Sequence, residues 1–147
     1  MANGERGRNF RHRMLNRMHR ALLAVSGGRI GSTLASMPVV ELHTIGRVTG
    51  TRRSVLLTSP VHDSDRYVLV ASKGGAPRHP SWYLNLLAHP DVELTVHGRT
   101  LALRARTAAG EEREGLWRGI VRAYPGYARY QQKTTREIPV VVCETRR

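Results

Sequence analysis

Three short stretches of this chain concentrate the residue types that bind anions and flat rings. The first reads Thr44-Ile-Gly-Arg-Val-Thr-Gly-Thr-Arg-Arg53. Two glycines four apart set a tight turn, and Arg47, Arg52, Arg53 and the Thr49 hydroxyl line it with donors. A guanidinium suits phosphate because its fork offers two hydrogen bonds at once. No Gly-Lys-Ser/Thr follows, so this is not the phosphate loop of nucleotide hydrolases, and the dinucleotide fingerprint is absent as well. On these residues alone a solvated hairpin with charged flanks is an equal reading.

The second stretch is Val70-Ala-Ser-Lys-Gly-Gly-Ala-Pro-Arg-His-Pro-Ser-Trp-Tyr-Leu-Asn85. A strand signal ends in Ser72-Lys73, two glycines open the backbone, and a helix signal starts after Pro80. Amides at a strand end beside a helix N-terminus can cradle a phosphate or the polar edge of a ring. Trp82 and Tyr83 are placed either to flank a flat ligand or to pack beneath the helix. The glycines favour a functional reading, because they cost conformational entropy unless a turn or a close approach requires them. The third stretch, Tyr124-Pro-Gly-Tyr127-Ala-Arg-Tyr130-Gln-Gln, sets three tyrosines three apart. That spacing brings the rings to one side of a helix or turn, as a pocket wall with polar tips or as core packing.

Other chemistries find no support in the sequence. The seven histidines and one cysteine show no His-Glu-x-x-His or Cys-x-x-Cys spacing, so no metal site is expected. Ser72 lacks a nucleophile elbow, which argues against a hydrolase. Cys143 alone excludes an intramolecular disulfide framework and suits a reducing compartment.

These stretches must be positioned by one domain, since 147 residues leave no room for two of ordinary size. With 40% hydrophobic and 24% charged residues, the composition is globular. Strand signals cover Val39 to Ile45, Ser54 to Val61, Arg66 to Ala71, Val92 to His97, Thr100 to Thr107 and Ile138 to Cys143. A hairpin is expected around Gly98-Arg99. Helices are expected from about Pro80 to Ala88 and from Ala109 to Tyr124, the second with Glu111, Glu112 and Glu114 near its start. Strands and helices do not alternate, so the expected class is α+β with a closed or nearly closed, mostly antiparallel barrel of about six strands.

The formal charge of +13 comes from 24 basic residues, of which only Lys73 and Lys133 are lysines. Such a field attracts polyanions: nucleic acid, anionic lipid or a phosphorylated small molecule. Residues 1–30 hold seven of the arginines, and Phe10, Met14, Met18, Leu22 and Val25 recur at helical spacing among them. Residues 1–30 therefore read as a basic amphipathic helix (9–25) and its flanks, the stretch from Gly27 to Pro38 as a small-residue linker, and 31–147 as the domain proper. That helix either lies on an anionic membrane surface or caps the barrel. No apolar run reaches the roughly 20 residues of a membrane-spanning helix, and no secretory leader is apparent. The expected location is cytoplasmic, with peripheral attachment to the inner face of the membrane as the surface-helix variant. Nucleic-acid motifs are missing, so no nucleic-acid partner is expected.

In this order the three stretches resemble the deazaflavin-dependent nitroreductase family of actinobacteria, within the FMN-binding split β-barrel superfamily. The first follows that family's Thr-Thr-Gly-Arg-Lys-Ser/Thr-Gly-x-Pro-Arg pattern. The second matches almost throughout, from Ala71-Ser72-Lys73-Gly74-Gly75-Ala76 to Pro80-x-Trp82-Tyr83-x-Asn85-Leu86. Tyr124-Pro125-x-Tyr127-x-x-Tyr130-Gln131 and Arg136-x-Ile138-Pro139-Val140-Val141-Val142-Cys143-Glu144 complete a similarity covering about residues 39 to 145.

The resemblance implies a split β-barrel that binds reduced coenzyme F420 (F420H2) and passes a hydride to a nitro compound, quinone or activated alkene. It implies that Arg47, Thr49 and Arg53, with Ser54 beside them, hold the phosphate and oligoglutamate tail. Val70, Ala71, Ser72 and Lys73 would run under the ring, while Ser81, Trp82, Tyr83 and Asn85 close one side. Ser72, Tyr124, Tyr127 and Tyr130 would face the substrate, Tyr127 also touching the cofactor. The alternatives are an FMN-dependent reductase of the same fold and a non-catalytic cofactor-binding or membrane-surface module. The oligomeric state stays open. Two departures bear on the phosphate: Val48 stands at the family's lysine and Arg52 at its proline, with Arg52 the candidate replacement for the missing charge. His43 and Ile45, in place of threonines, are expected to reshape the pocket edge.

Overall fold

The computed structural model describes residues 33–34 and 37–146; the basic helix expected over 9–25 lies outside them. Eight strands are present among the described residues: β1 (Thr33–Leu34), β2 (Met37–Ile45), β3 (Arg52–Thr58), β4 (Val61–His62), β5 (Arg66–Val70), β6 (Asp91–Val96), β7 (Arg99–Thr107) and β8 (Val140–Thr145). Three α-helices accompany them: α1 (Ser81–Ala88), α2 (Gly110–Ala123) and α3 (Gly126–Gln132). Every strand pairing is antiparallel, in the order β1-β2-β6-β7-β8-β5-β4 with β3 on β2. This is the expected α+β class.

The strand expected over 54–61 is broken at Ser59-Pro60, because proline brings no N–H to a ladder. The break has a use. The buried Ser59 donates its hydroxyl to the Val68 carbonyl at 2.8 Å and its amide to Pro38 at 3.0 Å, which joins the end of β3 to β5. The edges of β3 and β4 are otherwise unpaired with each other among the described residues, so the barrel is split there. Part of the expected linker is also strand: Thr33–Leu34 folds back on Met37 and Pro38. In the β6–β7 hairpin the turn falls on His97-Gly98, one residue earlier than expected. Val96 pairs with Arg99, and φ values of 49° and 76° give the two left-handed centres of a two-residue hairpin turn.

Two cores lie on opposite faces of β5 and β8. Leu69, Val141 and Cys143 join Leu42, Leu94, Leu103, Trp82 and Leu86 inside the barrel. Val68, Val70, Val140 and Val142 join Ile120, Tyr127 and Ile138 beneath α2 and α3. A strand buried on both faces carries a continuous apolar run, which explains Val140–Cys143. Cys143 is fully buried and burial pushes its thiol up to about 12, so it is an inert core residue.

Helix α3 sits against a 3₁₀ turn at Lys73–Gly75 that follows β5. Three successive residues there have positive φ: Lys73 at 46°, Gly74 at 65° and Gly75 at 85°. A Cβ on Gly75 would stand 2.6 Å from the Tyr130 carbonyl oxygen and 2.9 Å from the Lys133 Cβ, whereas one on Gly74 would meet nothing within 4 Å. Gly74→Ala should therefore cost about 1 kcal/mol, the intrinsic penalty of left-handed backbone. Gly75→Ala should cost about 2–4 kcal/mol, because α3 must also move away. Urea denaturation of the two variants measures the difference, and equal losses would mean that α3 does not press on the turn.

Candidate functional site

A cleft of about 420 Å³ opens between the β2–β3 turn and α1. Its lining includes Thr44, Gly46, Arg47, Val48, Thr49, Arg53, Ser54 and Val55 from the strand side. Helix α1 contributes Ser81, Trp82 and Asn85. Seven of the residues expected to bind cofactor thus meet in one place: Arg47, Thr49, Arg53, Ser54, Ser81, Trp82 and Asn85.

The turn is held by backbone bonds from the Gly46 amide to Thr51 and from the Gly50 amide to Gly46, each 2.8 Å, with Gly50 at φ 71°. The Thr49 and Thr51 hydroxyls are bonded at 2.7 Å. Asn85, 5% exposed, joins the turn to the helix. Its Oδ1 accepts from the Arg47 backbone amide at 3.1 Å and from Arg47 Nη1 at 2.8 Å. Arg53 is exposed at the opposite wall and has no acceptor among the described residues.

Strand alternation decides which arginine the cleft receives. Arg53 pairs with the inward Thr44, whereas Arg52 pairs with Ile45 and donates from Nη1 to Glu93 Oε1 at 3.0 Å. Arg52 does not line the cleft, and the expectation that it replaces a lysine at Val48 fails on that geometry. Val48 is 86% exposed at the tip of the turn. His43 does not itself line the cleft: its Nδ1 meets Oγ of the lining residue Ser54 at 2.7 Å and its Nε2 meets Thr95 Oγ1 at 2.8 Å, linking β3 to β6 across β2.

The other expected residues group elsewhere. Val70, Ala71 and Tyr83 are buried, with the Tyr83 hydroxyl bonded to Thr107 Oγ1 at 2.9 Å. Ser72 is buried at the start of the 3₁₀ turn, and Lys73 is exposed in it. The three tyrosines do come together: the Tyr127 ring stands edge-on to Tyr124 at 5.4 Å and to Tyr130 at 5.9 Å. Tyr127 is buried, and its hydroxyl lies 3.0 Å from Thr58 Oγ1, so this ring belongs to the second core. Tyr124 and Tyr130 are half-buried, and burial together with a hydrogen bond to Tyr124 holds the Tyr130 hydroxyl above its ordinary pKa. The Tyr130 backbone adjoins the Lys73–Gly75 turn, and neither ring lines the cleft.

One further residue belongs with these groups. Arg136 opens the last stretch of the resemblance with no site role implied for it, yet it donates to the carbonyls of Ala71, Ser72 and Ala76. A larger hollow of about 850 Å³ lies by the β4–β5 turn, but its arginines are paired: Arg66 with Asp63, Arg104 with Asp91, and Arg106 with Glu112 and Glu144. It presents no spare cation to an anionic ligand.

The antiparallel split barrel presents an arginine-lined cleft beside an aromatic helix, a donor set suited to an anionic ligand. The chain belongs to the F420H(2)-dependent quinone reductase family, whose profile matches residues 14–145. An F420H(2)-dependent quinone reductase of Mycobacterium tuberculosis is 40% identical over 136 residues, covering 90% of this chain and 91% of its own. A solved F420-H2 dependent reductase is 46% identical with a TM-score of 0.66, over 73% of this chain and 94% of that one. A second solved structure, a domain-swapped dimer, is 39% identical with a TM-score of 0.68 over 95% and 98%. The fold alone extends to a pyridoxinephosphate oxidase family protein from Clostridium acetobutylicum, at 16% identity and a TM-score of 0.51 over 85% and 83%. The reductase names specify the reduced deazaflavin, and the FMN alternative is not needed. Among the described residues no helix is long and apolar enough to cross a membrane.

Asn85 should be the side chain on which the cleft's geometry rests. Asn85→Ala leaves the Arg47 amide without its acceptor and should cost about 1–3 kcal/mol, the usual penalty for orphaning a partly buried donor. Asn85→Asp keeps an oxygen in place and should lose less. Denaturant midpoints of both variants check this; an equal loss would show that the amide oxygen is not what matters.

Proposed function

We propose that this chain binds reduced coenzyme F420 in the cleft between the β2–β3 turn and α1 and reduces a quinone beside the Lys73–Gly75 turn. The observation that supports it most is the convergence of Arg47, Thr49, Arg53, Trp82 and Asn85 on that cleft. The donor set fits the cofactor's chemistry. A phosphodiester needs a cation with unused donors, which Arg53 supplies, and the Thr49 hydroxyl stands on the same wall. Gly46 leaves the turn open where a Cβ would stand 2.9 Å from Thr49 Oγ1. Trp82 gives the cleft an aromatic wall beside Asn85.

When bound, the reduced deazaflavin supplies the hydride. The chain's own residues orient and supply a proton. Ser72 and Lys73 lie at the end of β5, where their amides can meet the polar edge of a ring. The Tyr130 hydroxyl would serve as the proton donor to the quinone oxygen, the tyrosinate regaining its proton from solvent, so that one hydride and one proton together make the hydroquinone. Tyr124 backs that hydroxyl, and Tyr127 holds both rings in place from the core. Nitro compounds and activated alkenes are narrower acceptor readings of the same site.

Titration with oxidised coenzyme F420 by fluorescence, followed by turnover of F420H2 with a menaquinone analogue, tests the reading. Binding and turnover are expected together; binding without turnover of any acceptor class would make the chain a carrier. Arg53→Ala should weaken cofactor binding by about 1.5–3 kcal/mol, the worth of a hydrogen bond to a charged group. The loss should shrink for a deazaflavin lacking phosphate and tail. Arg52→Ala should leave affinity within a few-fold, since Arg52 is bonded to Glu93 outside the cleft. Equal effects of the two substitutions would contradict the assignment of Arg53.

A further inference from the structure

We infer that Arg136 is a positioning residue whose guanidinium fixes the direction in which the Ser72 and Lys73 amides point. The inference deepens the reading above, because it concerns the turn placed under the cofactor's ring. Arg136 Nη1 donates to the Ala71 carbonyl at 3.2 Å and Nη2 to the Ser72 carbonyl at 2.8 Å. Nε donates to the Ala76 carbonyl at 2.8 Å, and Nη1 also lies 3.0 Å from His79 Nδ1. All four partners belong to the segment between β5 and α1, so one planar group gathers the whole connection.

The consequence follows from peptide geometry. In a trans peptide the N–H points opposite to the carbonyl of the same unit. Holding the Ala71 carbonyl therefore directs the Ser72 amide away from Arg136, and holding the Ser72 carbonyl directs the Lys73 amide likewise. The Gly75 amide, donating to the Ser72 carbonyl at 2.9 Å, and the Ala76 amide, donating to Lys73 at 3.1 Å, complete the turn. Of the three consecutive positive-φ residues only Lys73 carries a Cβ, and a left-handed non-glycine persists only where its surroundings over-determine it. Arg136 supplies that constraint from one side and Tyr130, packed on Gly75, from the other. The arginine is itself anchored: Gln131 Nε2 donates to the Arg136 carbonyl at 2.8 Å, and Gln131 Oε1 accepts from the Ile138 amide at 2.9 Å. A lysine brings the charge but not the fork that reaches diverging carbonyls.

Arg136→Lys is the variant to compare with wild type, with circular dichroism to confirm folding. Without cofactor, amide exchange at Gly75 and Ala76 should accelerate at least about ten-fold while the β5 and β8 amides keep their rates, since only local opening is released. Oxidised coenzyme F420 should bind about ten-fold more weakly, the scale of one lost charged hydrogen bond. The change in its absorption band on binding should also be reduced. Arg53→Ala should weaken binding yet retain that change, which separates misplaced ring contacts from lost phosphate contacts. Wild-type exchange at Gly75 and Ala76 in a folded Arg136→Lys variant would overturn the inference. If wild type binds no coenzyme F420, the cofactor reading fails and the exchange result alone decides the role of Arg136 in shaping the turn. Should Arg136→Lys not fold, Gln131→Ala, which loosens the anchor, is measured the same way; faster exchange confined to the turn supports the inference, and unchanged exchange overturns it.

Discussion

One side-chain amide oxygen, Asn85 Oδ1, joins the two walls of the candidate site. It receives both the backbone amide and the guanidinium of Arg47, at 3.1 and 2.8 Å, and so fixes a flexible-looking turn to a packed helix. The helix is rigid because Trp82, Tyr83 and Leu86 are set in the barrel core. The turn inherits that rigidity through Asn85. Without the link, a six-residue connection bearing two glycines would have many conformations, and its donors would be ordered only on binding, at an entropic cost. With it, Arg47 and Thr49 are arranged before any ligand arrives.

The same economy governs the distribution of charge. A net charge of +13 gives long-range attraction for anions but no specificity. Specific recognition depends on which cations remain unpaired and which way their strands turn them. Arg52 and Arg53 are neighbours in sequence and opposites in space; one meets Glu93 and the other faces the cleft. Around the larger hollow every arginine already has a carboxylate. Exposed pairs of that kind add little stability, but they leave no positive charge to offer.

Much of this was legible in the residues. Alternating apolar positions located the long strands, and the resemblance named most of the residues that line the cleft. What was not legible required partners distant in sequence. Nothing near Asn85 announces Arg47, and nothing near Arg136 announces the carbonyls of Ala71 and Ser72, 65 and 64 residues away. The Ser59-Pro60 break looked like continuous strand because the flanking Leu56, Leu57 and Val61 are apolar. The hairpin turn was displaced by one residue because His97, with no glycine's freedom, takes a left-handed conformation beside Gly98. The tyrosine spacing correctly brought three rings together, while burial of the middle one follows from the second core and could not be read from the spacing. Residues 9–25 keep their basic amphipathic pattern as a sequence property alone.

The central claim is that the cleft between the β2–β3 turn and α1 receives the cofactor's phosphate and tail, and that the Lys73–Gly75 turn receives its ring. Hydrogen–deuterium exchange of the full chain with and without oxidised coenzyme F420 tests it most directly. Protection is expected over residues 46–51, 72–75 and 81–85, with the β4–β5 turn and Arg104 to Arg106 unchanged. Protection confined to the β4–β5 turn and the paired arginines of the larger hollow, with none over 46–51 or 81–85, would contradict it.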